Sequence, residues 1–369
     1  MNNHDLNSPT WVPPHCPSRE CRFHDPQQPG WRWKRNGFHP RKTPPMRSRR
    51  FICKHCGVSF SSQSFSATYW LKKPDIVMKL STKVTSGACN SQIALDLGVS
   101  PSTVDRQIYR LGRHCLLFHA QMMQHNRPTL SDVAIDGLVT FEHSQYHPFH
   151  LHVAVDRESA FFAHFTDSEV RRSGTMTEPQ KRRRAYFERI RGKPDPRAVQ
   201  KDVHLLLKYL TMGMIEMTIH SDDHKAYPRA MRGLDCGIVH VTTSSKEIRD
   251  RLNKLFEINL LDLLIRHCDA AHKRQTIAYV KRRNCGAYKL AIFLVQRNYV
   301  RTKRVRRSQL TPAQLVGVCE RRLTVDEVLA RRLFVNHVEL DERWRQYYWL
   351  EVETRALGIN RRHRLKFAA

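Results

Sequence analysis

The chain has 369 residues, with 63 lysines and arginines against 34 aspartates and glutamates, and its formal charge is +29. A charge of this size destabilises a folded protein unless a polyanion neutralises it, and nucleic acid is the usual partner. No stretch approaches the roughly 18 apolar residues of a membrane span, and residues 1–15 lack the apolar run of a signal peptide. The ten cysteines do not form a disulfide framework, which is typical of a reducing cytoplasm. We therefore expect a cytoplasmic, nucleoid-associated protein without a membrane partner.

The pattern along the chain divides it into four regions. Residues 1–68 are rich in Pro, His, Arg and Cys and show little periodicity. Residues 69–128 have helical periodicity. Residues 129–300 alternate apolar strands with helices and contain a basic insertion at 171–201, which is either an extra DNA contact or a disordered loop. Residues 301–369 are basic and are predicted to be helical. Two or three domains are the expectation for this length.

Two short cysteine pairs lie in the first region, Cys16 with Cys21 and Cys53 with Cys56. Structural zinc prefers four soft ligands in a tetrahedron, and two close pairs supply them from two turns. The second pair has the spacing of a zinc knuckle and precedes Gly57, whereas four residues separate the first pair. Because the segment has few core residues, the metal would take the place of a core. The pattern predicts a zinc ribbon. Three nearby histidines are spare candidate ligands: His15, His24 and His55.

Residues 90–108 have the layout of a helix-turn-helix motif. Gly98 stands where the turn needs a positive φ, and Ser100 followed by Pro101 is suited to begin the second helix. Val104 then faces back towards the first helix, which leaves the other side of the second helix for the major groove and phosphates of DNA. The candidate DNA-contacting residues on that side are Ser102, Thr103, Arg106, Gln107 and Arg110.

The central region has the element order βββ-α-β-α-β-α, which is the order of an RNase H-like mixed α/β fold. The predicted strands are at 133–142, 150–157, 160–167, 216–222 and 237–243. The predicted helices are at 203–212, 223–231 and 253–267. In the basic C-terminal region, one clear helical segment is predicted at 323–334.

Two aspartates are placed to meet at one edge of this predicted sheet. Asp136 lies within the first strand, and Asp222 lies at the end of the fourth, which runs beside the first in an RNase H-like sheet. Two carboxylates held together repel each other unless a cation lies between them. Magnesium prefers carboxylate oxygens together with substrate phosphate, and a pair of such ions would activate an attacking oxygen and stabilise a leaving one. Asp222 is preferred over Asp223 because alternation places it opposite Ile215, Met217 and Ile219, which should face the core.

A third acidic residue is expected from the helix that follows the fifth strand. The candidates are Glu257, Asp262 and Asp269. Asp262 is preferred and Glu257 is the main alternative. Asp262 has Arg266 at i+4, so an ordinary ion pair on the helix surface is a competing interpretation of that residue.

Several of these segments together resemble bacterial insertion-sequence transposases of the DDE/D superfamily, which combine a zinc ribbon, a helix-turn-helix and an RNase H-like catalytic domain. The segments are FICKHCGVSF at 51–60, FSATY at 65–69, IDGLVTFEH at 135–143, SDDHKAY at 221–227, NLLDLLIRH at 259–267 and HKRQTIA at 272–278. In related elements a glutamate often opens the third acidic block. Here Asn259 occupies that place, and Asp262 follows less than one helical turn later on the same side.

The resemblance implies binding to the terminal inverted repeats of an element, metal-dependent hydrolysis at its 3′ ends and strand transfer into target DNA. Water would be the first nucleophile and the freed 3′-OH the second. The catalytic residues would be Asp136, Asp222 and Asp262, with Mg²⁺ or Mn²⁺ as their cofactor and Zn²⁺ in the ribbon. Basic residues near the scissile phosphates would be Arg266, His267, His272, Lys273 and Arg274.

Two other functions are consistent with the sequence. A DNA-binding regulator derived from a transposase would keep the ribbon and the helix-turn-helix but would have no use for Asp136 and Asp222. A nuclease of the same fold would cut DNA without strand transfer. Because cutting two element ends usually needs at least two subunits, we expect a homodimer on double-stranded DNA.

Overall fold

The computed structural model describes residues 6, 8, 10–273, 276–304 and 308–355. It contains a three-stranded sheet near the N-terminus and a five-stranded central sheet, with helices between and around them. Among the described residues, no helix has both the length and the apolar character that crossing a bilayer requires.

The N-terminal sheet consists of β1 (Trp33–Pro40), β2 (Arg47–Cys53) and β3 (Ser59–Ser61), paired antiparallel in that order. Its core is small and mainly aromatic. The buried side chains of this core include those of Phe23, Phe51, Phe60 and Phe65, together with three cysteines and Phe334 from far along the chain. A core of this size buries little apolar area, which is the situation in which a bound metal contributes much of the folding free energy.

Three helices follow, α1 (Asp75–Val84), α2 (Asn90–Asp96) and α3 (Pro101–His125). The predicted turn between α2 and α3 is confirmed, because Gly98 has a φ of +60° and Ser100 Oγ accepts a bond from the amide of Thr103. Ile93 of α2 and Val104 of α3 are both fully buried, and both belong to the same hydrophobic core. Local sequence thus determined where α3 begins.

The central sheet is formed by β4 (Asp132–Phe141), β5 (Pro148–Asp156), β6 (Phe162–Glu169), β7 (Glu216–Ser221) and β8 (Gly237–Thr242). Their order is β6-β5-β4-β7-β8. The first three strands are antiparallel, whereas β7 runs parallel to β4 and β8 parallel to β7. The intervening helices are α4 (Glu178–Arg191), α5 (Ala198–Leu210), α6 (Ala226–Ala230) and α7 (Phe256–Cys268). The predicted strands are confirmed to within a few residues.

The basic insertion at 171–201 is not a loop throughout, because α4 occupies its middle. The helix buries none of its residues, and its contacts with the rest of the chain include an ion pair to Arg171 and ring contacts of Phe187 with Tyr146 and His147. Arg171 donates to Glu188 at 2.7 Å, and Arg184 lies 3.5 Å from the same carboxylate. The run of basic side chains at 181–183 stays exposed on this helix.

Helix α8 (Arg283–Val295) is buried along its whole length and packs on α3. Gly112 of α3 permits the close approach, since a Cβ there would lie 2.2 Å from the Cβ of Tyr288. One hydrophobic core continues from Ala67 to Val352. The helices of 69–128 therefore pack directly on the central region.

The predicted helical segment at 323–334 is wrong in extent. Within 301–304 and 308–355, the part of the C-terminal region that the structure describes, the α-helices are short: α9 (Pro312–Leu315), α10 (Val325–Val328) and α11 (Glu342–Tyr348). After α10 the chain leaves the helical conformation and reaches the segment that follows β3, where the amide of Arg332 donates to the carbonyl of Phe65. Phe334 then inserts into the core of the N-terminal sheet. The apolar residues of this segment are buried by tertiary packing and not by a continuous helical face.

Candidate functional site

Strand register brings Asp136 and Asp222 to neighbouring positions. In the parallel pair of β4 and β7, Asp132 lies opposite Thr218 and Ala134 lies opposite His220. The same offset, continued two residues, places Asp136 beside Asp222, which directly follows the last residue of β7. Both side chains are half-buried. The structure therefore brings the two carboxylates predicted from the sequence to the same edge of the sheet.

The electrostatics of Asp136 show that its carboxylate and that of Asp222 interact. Burial raises the pKa of Asp136, and the negative charge of Asp222 raises it further. A bond from the Gly137 amide, 2.6 Å from Asp136 Oδ1, and the positive charges of Arg249 and Arg266 act in the opposite direction. The net shift of the Asp136 pKa is upward, as expected for two carboxylates that are held close together and partly buried.

Tyr227 of α6 is buried within reach of the charges of three carboxylates. Burial raises its pKa well above the ordinary value, and the charges of Asp136, Asp222 and Asp262 each raise it further. Its hydroxyl lies 3.6 Å from the position that a Cβ on Gly137 would take. Asp262, from α7, therefore acts electrostatically on the same tyrosine as the other two acids.

The other two candidates for the third acid have different surroundings. Glu257, at the beginning of α7, lies 3.4 Å from Arg304. Asp269 is fully buried and pairs with Lys289 at 3.3 Å. Neither carboxylate is among the charges that raise the pKa of Tyr227, whereas that of Asp262 is.

The alternation predicted around Asp222 is wrong at one residue, Ile215. Met217 and Ile219 are buried in the core as expected, but Ile215 is 93% exposed because β7 begins only at Glu216. Asp223 is exposed and lies in the turn before α6. Asp222 Oδ1 accepts a bond of 3.0 Å from the amide of His224, which holds its side chain against this turn.

The basic residues predicted near the scissile phosphates differ in how accessible their side chains are. Arg266 donates to the carbonyls of His272 and Val139, and His267 and Lys273 are exposed. His272 is a correction, because its ring is fully buried beside Asp269 and Gly286 and has no surface to offer to DNA. Arg274 lies outside the described residues.

Sequence reasoning assigned no role to Tyr227, Arg249 or His150, although all three lie at the site. Tyr227 stands within the SDDHKAY segment, so its position in that motif was the available signal. Arg249 follows β8 and is exposed. His150 Nδ1 would lie 3.2 Å from a Cβ on Gly137, across the β4–β5 pair. No local pattern indicated the last two.

Replacing Asp136 with asparagine is expected to raise the free energy of unfolding of the metal-free protein at neutral pH. A carboxyl whose folded-state pKa is raised loses stability as pH rises above its unfolded value of about 3.9, and asparagine does not ionise. Asparagine also keeps the acceptor for the Gly137 amide. Urea unfolding in chelator across the pH range measures the difference, which should grow with pH. The exposed Asp326→Asn is the control, and an Asp136 variant less stable than wild type would contradict the expectation.

The four cysteines of the N-terminal region come together although one pair is widely spaced. Their sulfur atoms all lie within 4.8 Å of one another, and Cys16 Sγ is 3.6 Å from Cys56 Sγ. Four sulfurs around a tetrahedral zinc would be separated by about 3.8 Å, from a Zn–S distance of about 2.3 Å. Burial raises the pKa of Cys53, but backbone amides and Trp31 Nε1, which donates to its sulfur, lower it to about 7 overall. This donor set fits zinc.

The side chains predicted to contact DNA from α3 are not equally available. Ser102 and Arg106 are exposed, and Thr103 and Gln107 are half-buried. Arg110 is a correction. Its guanidinium donates to the carbonyls of Ala67 and Tyr69, and it therefore holds the segment that leads from the N-terminal sheet to α1.

Comparisons with known proteins give structural similarities only. No protein-family model matches the sequence, and no curated protein matches it. A simian T-cell lymphotropic virus intasome in complex with PP2A regulatory subunit B56 gamma is similar at 15% identity, over 67% of this chain and 74% of that chain, with a TM-score of 0.24. The HTLV-2 integrase catalytic core domain with magnesium, in its dimeric form, is similar at 14% identity, over 52% and 98%, with a TM-score of 0.21. Scores this low carry no argument about function.

Proposed function

We propose that this protein is a DDE/D-type DNA transposase with an RNase H-like catalytic domain. The observation that carries the proposal is the strand register that places Asp136 beside Asp222, in a chain with a formal charge of +29, while the charge of Asp262 acts with theirs on Tyr227. The sheet order β6-β5-β4-β7-β8 is the arrangement expected of such a domain. Two carboxylates at one sheet edge, with the charge of a third acting on the same tyrosine, are costly in a folded protein unless they bind cations.

The acids would hold Mg²⁺ or Mn²⁺, which when bound polarise phosphate and lower the pKa of water. Asp136 would supply oxygens from β4, and Asp222 would supply them from the residue that directly follows β7. Asp262 supplies a third carboxylate from α7. Arg249 and Arg266 carry the positive charge nearest to Asp136, so they would steer and hold the scissile phosphate.

The remainder of the chain would bind the DNA ends. We assign sequence recognition to the exposed face of α3, through Ser102 and Arg106, and to a zinc ribbon built on the four cysteines. Helix α4 would add phosphate contacts through its exposed basic run at 181–183. Two element ends must be cut together, so the active form would be a homodimer on DNA.

The proposal is tested by incubating the full-length protein with duplex oligonucleotides that carry the sequences flanking its coding region. We expect nicking that leaves a 3′-OH with Mg²⁺ or Mn²⁺ and none with chelator, followed by strand transfer into plasmid DNA. Denaturing gels and sequencing of the joints measure both steps. Tight binding of the ends without nicking under any metal condition would instead support a DNA-binding regulator.

Nicking without strand transfer would support a nuclease of the same fold. DNA binding should weaken steeply with salt, since each phosphate neutralised by Lys or Arg releases counterions. A duplex of the same length with unrelated sequence is the control for the ends. Equal nicking of both duplexes would contradict the assignment of specific recognition to α3 and the ribbon.

A further inference from the structure

A second group of metal-ligating side chains lies beside the four cysteines and is separate from them. His15 and His24 come from the N-terminal region, and His337 comes from the segment that follows Phe334. One nitrogen of each ring lies within 4.8 Å of one nitrogen of each of the others. The ring centroids are 5.3 Å apart for His15 and His24, 4.6 Å for His15 and His337, and 4.5 Å for His24 and His337.

Backbone carbonyls hold one nitrogen of each ring. His15 Nδ1 and His24 Nδ1 lie 3.0 and 2.9 Å from the carbonyl of Cys16, and His337 Nε2 lies 2.8 Å from the carbonyl of His24. Metal-binding histidines commonly donate their second ring N–H to such a carbonyl, which sets the tautomer and aims the other nitrogen. The nitrogens left over are Nε2 of His15, Nε2 of His24 and Nδ1 of His337.

His24 Nε2 is a buried nitrogen with no hydrogen-bond partner. His24 is only 4% exposed, and a buried polar atom without a partner carries a free-energy cost that a ligand would remove.

We propose that His15, His24 and His337 bind a second zinc ion, distinct from the one assigned to the four cysteines. Three imidazoles and one open position form a common zinc donor set. An open cavity borders His24 and His337 and has room for a water as fourth ligand. The charges of Arg19 and Arg332 oppose a cation here, and that of Asp25, which acts on His337, favours it.

The site would link the N-terminal region to a segment near the other end of the described residues. His24 and His337 are 313 residues apart in sequence, and Phe334 packs against the rings of both His15 and His24. A metal bound here would fix the N-terminal sheet on the segment between α10 and α11. This inference does not depend on the proposed transposase activity.

The test uses substitutions that keep the backbone bonds and remove only the free nitrogen. In His24→Asn the side-chain amide occupies the place of Nδ1, and in His337→Gln it occupies the place of Nε2. Every full-length protein in this experiment carries Asp136→Asn and Asp222→Asn, so that the proposed carboxylate site adds no zinc to the count. It is loaded with zinc, freed of excess and analysed for metal per chain. We expect two zinc ions when all three histidines are present, one in each histidine variant, and two in the control His125→Gln, which changes an exposed histidine at the end of α3.

Cobalt substitution separates this site from the cysteines. Cobalt bound to thiolates has sulfur-to-metal charge-transfer absorption, which cobalt on imidazoles lacks. The His24→Asn and His337→Gln variants should lose one cobalt and keep that absorption, which also shows that the N-terminal sheet is still folded. One metal per chain when all three histidines are present, with thiolate absorption and no change in either variant, would overturn the second site. One metal without thiolate absorption, lost in His337→Gln, would support it and refute the cysteine site.

Discussion

Replacing Asp136 or Asp222 with asparagine is expected to lower the rate of metal-dependent 3′-end nicking by at least about 10³-fold, the upper range for losing one preorganised electrostatic group. Either change removes a charged oxygen ligand from the shared edge of β4 and β7. DNA binding should change little, because the basic surfaces are untouched. Single-turnover nicking under saturating protein, together with a binding titration, separates the two effects.

The neighbouring residue provides a matched control for this expectation. Asp223 has the same charge and follows Asp222 in the chain, but its side chain is exposed. Asp223→Asn should nick at nearly the wild-type rate. The double variant Asp136→Asn/Asp222→Asn should be no slower than either single variant, since residues that act as one unit are not additive. Equal losses in Asp223→Asn and Asp222→Asn would refute the assignment.

The same assay decides the third acid. We expect Asp262→Asn to lose about as much nicking activity as Asp136→Asn or Asp222→Asn. The reason is that the charge of Asp262 raises the pKa of the same tyrosine, Tyr227, as the charges of the other two acids do. Glu257→Gln should retain activity, because that carboxylate faces Arg304. A pattern in which Glu257→Gln is inactive and Asp262→Asn is active would move the third ligand to the beginning of α7.

Replacing Cys53 and Cys56 together with serine is expected to unfold the N-terminal sheet while the central sheet stays folded. Structural zinc contributes on the order of 10–16 kcal/mol of apparent binding free energy in zinc-finger peptides, more than this small aromatic core can supply. The variant should be cleaved by protease within 33–61 and leave a resistant fragment from the rest of the chain. Limited proteolysis with mass spectrometry measures this.

The control for this experiment is Cys89→Ser/Cys319→Ser, which changes two half-buried cysteines outside the cluster. It should resist protease as wild type does. Chelation of the wild-type protein should reproduce the cleavage pattern of the Cys53/Cys56 variant, and added zinc should restore protection only to wild type. A Cys53/Cys56 variant as resistant as wild type would show that the aromatic core alone is sufficient.

The amino-acid sequence by itself determined the local elements of this protein. The strands at 132–141 and 216–221 follow from alternating apolar residues, and the beginning of α3 follows from Ser100 and Pro101. These features depend on neighbours a few residues away, so a pattern within one segment is sufficient to predict them. The same holds for the two acids at strand positions and for the close cysteine pairs.

Only the tertiary structure decided which distant side chains meet and which become buried. Arg110 and His272 are of residue types that often contact DNA. Packing nevertheless directs the Arg110 guanidinium to backbone carbonyls and buries the His272 ring. Glu257 and Asp262 lie little more than one helical turn apart on α7. The packing of α7 directs Glu257 to Arg304, whereas the charge of Asp262 acts on Tyr227. His337 joins His15 and His24 because Phe334 carries that segment into the N-terminal core. Contacts between residues hundreds of positions apart depend on how whole elements pack, and no local propensity encodes that placement.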